Sequence, residues 1–168
     1  MEKYDLDLLF LEFLIYNSKL NKVQVKTIAI GCDHAGFPYK DSIIRLLDKQ
    51  GYTVLDFGTD STDSVDYPDF VHPTVSSVEK GEAEIAILLC GSGNGVNITA
   101  NKHQGIRCAL AWKTDIAALA VQHNNANVVA MPVRFISKRM ALNIVRTFLA
   151  ADFEGGRHAR RVGKMACM

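Results

Sequence analysis

The chain has 168 residues, 48% hydrophobic and 22% charged, the mix of an average globular protein, and one domain is the default at this length. Lys plus Arg number 19 against 18 for Asp plus Glu, a formal net charge of +1 that argues against a strongly basic nucleic-acid binder. The 12 Gly and 4 Pro argue against a low-complexity chain, and no apolar run reaches the roughly 18 residues of a membrane span. Cys32, Cys90, Cys108 and Cys167 lack paired metal-ligand spacing. They suit reduced thiols in a cytoplasmic protein better than a disulfide framework.

Residues 8–16 read LLFLEFLIY, the one stretch near a targeting signal. Glu2, Asp5 and Asp7 precede it, Glu12 interrupts it, and no small-residue cleavage site follows, so a secretory signal is not expected. Residues 1–24 read as an appendage, either an amphipathic helix packed on the domain or a partner, or a loose segment. Its polar residues are acidic or mixed, which disfavours a membrane-surface role.

The organised domain spans residues 25–168. Five short apolar runs predict strands: 27–31 (TIAIG), 53–58 (TVLDFG), 85–90 (IAILLC), 108–112 (CALAW) and 127–131 (NVVAM). They are continuous rather than alternating, as in a parallel sheet covered on both faces. Helical patterns lie between them. Residues 39–50 carry Ile43, Ile44, Leu46 and Leu47 and stop at Gly51; 114–123 is Ala-rich, with Lys113 or Thr114 near its start; 137–151 is amphipathic, with Ser137 as N-cap. Right-handed crossovers then give a three-layer α/β/α sandwich around a Rossmann-like five-stranded parallel sheet, expected in the order 2-1-3-4-5.

In such a sheet, ligands bind beyond the C-terminal strand ends. Strand one is followed by Gly31-Cys32-Asp33-His34-Ala35-Gly36 and strand three by Cys90-Gly91-Ser92-Gly93-Asn94-Gly95, and the two loops face each other across one crevice. The glycines of the second loop let successive N–H groups turn toward an oxyanion or phosphate. The same string equally suits any tight strand-to-helix turn. It matches neither the dinucleotide fingerprint nor a Walker loop.

A cysteine ending a strand is more often a small buried hydrophobe than a reactive group. Cys90, however, adjoins a loop whose dipoles are expected to favour a thiolate, able to act as a nucleophile or a carbon-acid base. Asp33 and His34 form a polar pair on the opposite loop. His123 and Asn124 end a helix, where a histidine also serves simply as partner of the dipole. In the tail, Arg157 and Arg161 would form a two-pronged anion clamp if the segment after Gly155-Gly156 is helical; a solvated basic tail is the plainer alternative. Arg134, just past strand five, is a third candidate cation.

The motifs GCDHAG (31–36), DYPDF (66–70), CGSGNG (90–95), NK (101–102), GIR (105–107), QHNNANV (122–128) and EGGRHARRV (154–162) resemble the ribose-5-phosphate isomerase B family, which also holds the galactose-6-phosphate isomerase subunits. The resemblance covers residues 26–165 in order. It implies a homodimer or dimer of dimers, acting on a phosphorylated sugar with no cofactor and no metal. The expected reaction interconverts an aldose phosphate and its ketose phosphate through a cis-enediolate. By motif matching, the resemblance makes Cys90 the proton-abstracting base and His123 the ring-opening histidine. Asp33, His34, Gly91, Ser92, Gly93, Asn94, Gly95, Asn124, Arg134, Arg157 and Arg161 fall on substrate and phosphate contacts. Ser92 stands where Thr is common and keeps the hydroxyl; Asn94 stands where an aliphatic is common and bears on sugar preference. A hexose-phosphate isomerase subunit and a non-catalytic phosphate-binding module are the alternatives. Some subunits of the former lack the base that Cys90 supplies here.

Topology alone adds a constraint. The helix ending at His123 runs back against the strands, so His123 is expected on the edge opposite Cys90, a strand length or roughly 17 Å away. If both act on one substrate, His123 comes from a second subunit.

Overall fold

The computed structural model describes residues 27–166, so the expected appendage at 1–24 and Cys167 lie outside the described residues. In chain order the elements are β1 (Thr27–Cys32), α1 (Phe37–Lys49), β2 (Thr53–Asp56), α2 (Pro68–Glu79), β3 (Ile85–Cys90), α3 (Asn94–Ala100), β4 (Cys108–Leu110), α4 (Thr114–Asn124), β5 (Val128–Pro132), α5 (Lys138–Ala150) and α6 (Arg157–Val162). All strand pairs are parallel. The fold is the expected α/β sandwich.

The strand order is β2-β1-β3-β5-β4, which corrects the expected 2-1-3-4-5. Burial gives the physical reason. All five residues of β5 are buried, whereas β4 has three residues, each only half-buried. The fully apolar strand takes the interior place beside β3, and the short one becomes an edge. The adjacency of β1 and β3 stands as expected, so their C-terminal loops do meet.

Side chains of the inner strands alternate between two cores. Ile28, Ile30, Ile87, Leu89, Val129 and Met131 face α1, α4 and α5, where Leu47, Ile144 and Phe148 are at most 1% exposed. Each such large side chain contributes roughly 1.5–3 kcal/mol by leaving water. Ala29, Ala86, Leu88, Cys90, Val128 and Ala130 face α2 and α3 through Val71, Val75 and Val96. The Cys90 side chain therefore belongs to the α2–α3 side.

Ser137 caps α5 as expected, its Oγ accepting the Met140 N–H at 3.2 Å. The start of α4 is plainer: Lys113 holds the cap position with no side-chain hydrogen bond. The helix α2 escaped the sequence reading because Pro73 lies inside it and no capping side chain precedes it. Pro68 suits the first turn, and burial of Val71, Thr74 and Val75 against the sheet holds the helix despite Pro73. Among the described residues, no helix is long and apolar enough to cross a membrane.

Candidate active site

At the C-terminal end of the β1–β3 pair, the register Cys32↔Leu89 continues one step further, with the Asp33 N–H donating to the Leu89 carbonyl at 3.2 Å. Asp33 thereby stands beside Cys90. Its Oδ1 accepts the N–H groups of Ala35 and Gly36, both at 2.9 Å, and the residue is 4% exposed. Gly36 is required for this close approach: a Cβ there would lie 2.5 Å from the Leu89 carbonyl oxygen. The carboxylate is fixed before any ligand arrives.

Cys90 is 8% exposed. Burial pushes its thiol above the ordinary value, and a hydrogen bond to Asp33 together with the Asp33 charge pushes the same way. The N–H groups of Gly93 and Ser92 pull it down. The loop amides are thus directed at the sulfur as expected, but the expected net preference for thiolate is overturned: desolvation and the facing carboxylate outweigh them. The arrangement sets a protonated thiol beside a carboxylate.

The loop geometry follows from its glycines. Gly93 has φ of +73°, a left-handed conformation that starts α3 with Asn94 as its first residue. Gly91 is crossed by the Arg134 side chain, whose Nε would lie 3.0 Å from a Cβ there, and the Arg134 N–H donates to the Gly91 carbonyl at 3.1 Å. Because β5 rather than β4 neighbours β3, Arg134 lands on this loop. Ser92 and Asn94 are exposed at its tip, with Ser92 Oγ accepting the Asn94 N–H at 3.4 Å. His34 Nδ1 accepts the Val65 N–H at 3.3 Å, which puts the neutral ring's proton on Nε2. Tyr67 at the head of α2 lays its ring over Gly95, where a Cβ would meet Cζ at 2.6 Å. The sequence reading carried Tyr67 only within the DYPDF motif and gave it no place. No periodicity could have put that ring on the loop.

The remaining expected residues gather at the other end of the sheet. Cys90 pairs with Pro132, the last residue of β5, while His123 and Asn124 close α4 before β5 begins at Val128. Five strand residues at about 3.3 Å each separate the two ends by about 16 Å. Asn125 ends α4 in the left-handed conformation, φ 47°, and Gly155 and Gly156, φ +67° and +53°, turn the chain into α6. In that helix Arg157 and Arg161 stand at i and i+4, both exposed, as expected. His123 stacks on His158 with ring centroids 4.2 Å apart and planes within 6°. Glu154 Oε2 lies 3.8 Å from His123 Nε2 and 3.5 Å from His158 Nε2. These three side chains offer donor atoms within 4.8 Å of one another.

The expected residues thus fall into two sets within one protomer. Asp33, His34, Cys90, Gly91, Ser92, Gly93, Asn94, Gly95 and Arg134 come together at the C-terminal edge; His123, Asn124, Arg157 and Arg161 come together at the other. A cleft of about 420 Å³ beside the second set is lined by Asn101, Ile106, Arg107, Cys108, Asn124 and Met165.

A family model described as Ribose/Galactose Isomerase matches residues 28–165. Ribose-5-phosphate isomerase B of Escherichia coli (strain K12) is 42% identical over 138 residues, covering 82% of this chain and 93% of that one. The structure of the Thermotoga maritima ribose 5-phosphate isomerase superposes with a TM-score of 0.81 at 48% identity, covering 84% of this chain and 97% of that one. That of Mycoplasma genitalium ribose-5-phosphate isomerase B, with bound ribulose-5-phosphate, superposes with a TM-score of 0.80 at 41% identity, covering 83% and 93%. The chain belongs to the ribose/galactose isomerase family.

Proposed function

We propose that this protein interconverts D-ribose 5-phosphate and D-ribulose 5-phosphate, with Cys90 as the base. The observation that carries the reading is the Cys90 thiol held between the Asp33 carboxylate and the N–H groups of Ser92 and Gly93. Asp33 takes the thiol proton. The thiolate removes the proton from the carbon beside the aldehyde and returns it to the former carbonyl carbon, so one base serves both carbons of a cis-enediolate. Loop N–H groups and the Ser92 hydroxyl meet the enediolate oxygens, and the proton of the hydroxyl on the second carbon passes to the former aldehyde oxygen. His123 opens the furanose by exchanging protons with the ring oxygen and anomeric hydroxyl. His34, Asn124 and Arg134 contact the sugar or its phosphate, while Arg157 and Arg161 hold the phosphate and supply remote binding energy. Proton transfers alone carry every step.

The separation of the two residue sets favours a homodimer, or a dimer of dimers, in which each Cys90 edge receives His123, Asn124, Arg157 and Arg161 from a second copy. In a cell the natural setting is the cytoplasm, in the non-oxidative pentose phosphate pathway. A coupled assay of ribose 5-phosphate conversion, with aldohexose 6-phosphates as comparison substrates, tests the reading directly. The wild type turns over ribose 5-phosphate, and Cys90→Ala loses about 10²-fold or more in kcat. Near-normal kcat in the purified variant removes Cys90 as the base; turnover of hexose phosphates alone removes the pentose assignment.

A further inference from the structure

The reaction needs one histidine at the α4 end, yet a second ring lies parallel to it. His158 is 5% exposed, stacked on His123 at 4.2 Å, and bound through Nε2 by the Arg157 Nε–H at 3.2 Å. That hydrogen bond fixes the neutral ring with its proton on Nδ1. Burial lowers the His158 pKa, and His123 and Arg157 lower it further, which keeps the ring neutral. With no proton on His158 Nε2, the facing Glu154 carboxylate has nothing to accept there. The nearby nitrogen that can offer it a proton is His123 Nε2, 3.8 Å away.

Glu154 is itself anchored to the helix it serves. Its N–H donates to the Gln122 carbonyl at 3.0 Å, one residue before His123. The left-handed turn at Gly155 and Gly156 then brings His158 back over the ring. The same three donors invite a divalent cation, but the geometry argues otherwise. Imidazole lone pairs lie in the ring planes, and planes within 6° of parallel do not aim them at one point. Arg157, moreover, already occupies His158 Nε2.

We propose that His158 and Glu154 are positioning residues for His123: His158 is the flat platform that sets its ring plane, and Glu154 the counter-ion that favours its protonated form. The proposal rests on the reading that His123 opens the sugar ring. Among the described residues, the charged groups that act on the His158 ring are Glu154 from the connecting segment and Arg157 and Arg161 from α6. Of these, Glu154 alone carries a negative charge.

The test separates plane from charge. His158→Ala lowers kcat for ribose 5-phosphate about tenfold or more with KM within about threefold, and His158→Phe, which keeps a flat ring, recovers most of that loss. Glu154→Gln moves the alkaline limb of the kcat/KM profile to lower pH. The His123 ring resonances, titrated by NMR in the wild type and Glu154→Gln, move the same way and need no activity. Wild-type kcat in a folded His158→Ala, equal impairment of the Ala and Phe variants, or an unmoved His123 titration in Glu154→Gln overturns the proposal. Should His158→Ala fail to fold, the Phe variant and the titration still decide. A fully active His123→Ala sinks the ring-opening reading instead, whatever the other variants do.

Discussion

Asp33 and Cys90 stand side by side across the β1–β3 pair, carboxylate against thiol, and both are buried. The pairing follows from the parallel register, since Asp33 is the first residue past β1 and Cys90 the last of β3. Two acidic groups so placed compete for one negative charge, and the thiol holds the proton.

Alkylation reads that competition directly. Only the thiolate reacts, so carbamidomethylation of Cys90 by iodoacetamide climbs about tenfold per pH unit up to the ordinary thiol value and beyond it. Replacing Asp33 by Asn removes the charge that raises the thiol, and alkylation at pH 8 becomes faster. Cys32, pushed up to about 12 by burial, and Cys108, raised further by burial alone, stay unmodified in the folded protein. Peptide mapping by mass spectrometry assigns the site. Slower alkylation of Asp33→Asn, or modification of Cys32 before Cys90, contradicts the arrangement.

The arginine pair gives a different kinetic signature. Arg157 and Arg161 are exposed on one face of α6, beyond the double-glycine turn. Loss of a charge-assisted phosphate contact costs roughly 1.5–3 kcal/mol, so Arg161→Ala raises KM for ribose 5-phosphate about tenfold or more while kcat changes little. A solvated basic tail leaves both constants unchanged, and that result removes the clamp.

Lys40 ties α1 to the end of β2 and is a stability position. Its side chain is 4% exposed, pairs with Asp56 at 2.8 Å, and donates to the carbonyls of Thr59 at 2.9 Å and Gly58 at 3.4 Å. Burial acts to lower its pKa, but the hydrogen bond and charge of Asp56 outweigh it and the net shift is upward. A raised lysine contributes stability that is fully present below the ordinary value of 10.5 and lost as pH climbs through the higher folded value. Lys40→Met leaves the Thr59 carbonyl without its donor and Asp56 without its charge partner. It costs roughly 2–4 kcal/mol, discounted because Asp56 is a third exposed. Urea unfolding at pH 7 measures it; a loss below about 1 kcal/mol shows that water replaces the lysine.

Most of this was legible where periodicity and turn chemistry agree. The run IAILLC coincides with β3, and the helix after Ser137 starts at its cap. The clustering of Asp33 with Cys90 needed only that β1 and β3 be neighbours. Besides the Tyr67 ring over Gly95, three things were not legible. Strand order depends on comparing the burial of β4 and β5, and a three-residue strand carries too little pattern for that. The helix α2 is held by tertiary packing against its own Pro73. The sign of the Cys90 shift balances loop amides against desolvation and one carboxylate, a comparison that spacing along the chain does not contain.

The sharpest prediction comes from the two ends of the sheet. Cys90 pairs with the last residue of β5, and His123 lies before its first, so a single protomer presents them about 16 Å apart along the strand. No side chain of His123 spans that distance to a sugar held at the thiol. If both serve one substrate, each site draws its thiol from one copy and its imidazole from another, related by a two-fold axis. Cys90→Ala and His123→Ala homodimers then have two damaged sites each. In a mixed dimer one site collects both lesions and the other collects none. Equal mixing with full exchange makes half the dimers mixed, each with one intact site of two, so activity recovers to about a quarter of wild type. Exchange is checked by native mass spectrometry of the mixture. Mixed dimers that have formed and yet stay as inactive as their parents place both residues in the same protomer's site, and the shared-site reading fails.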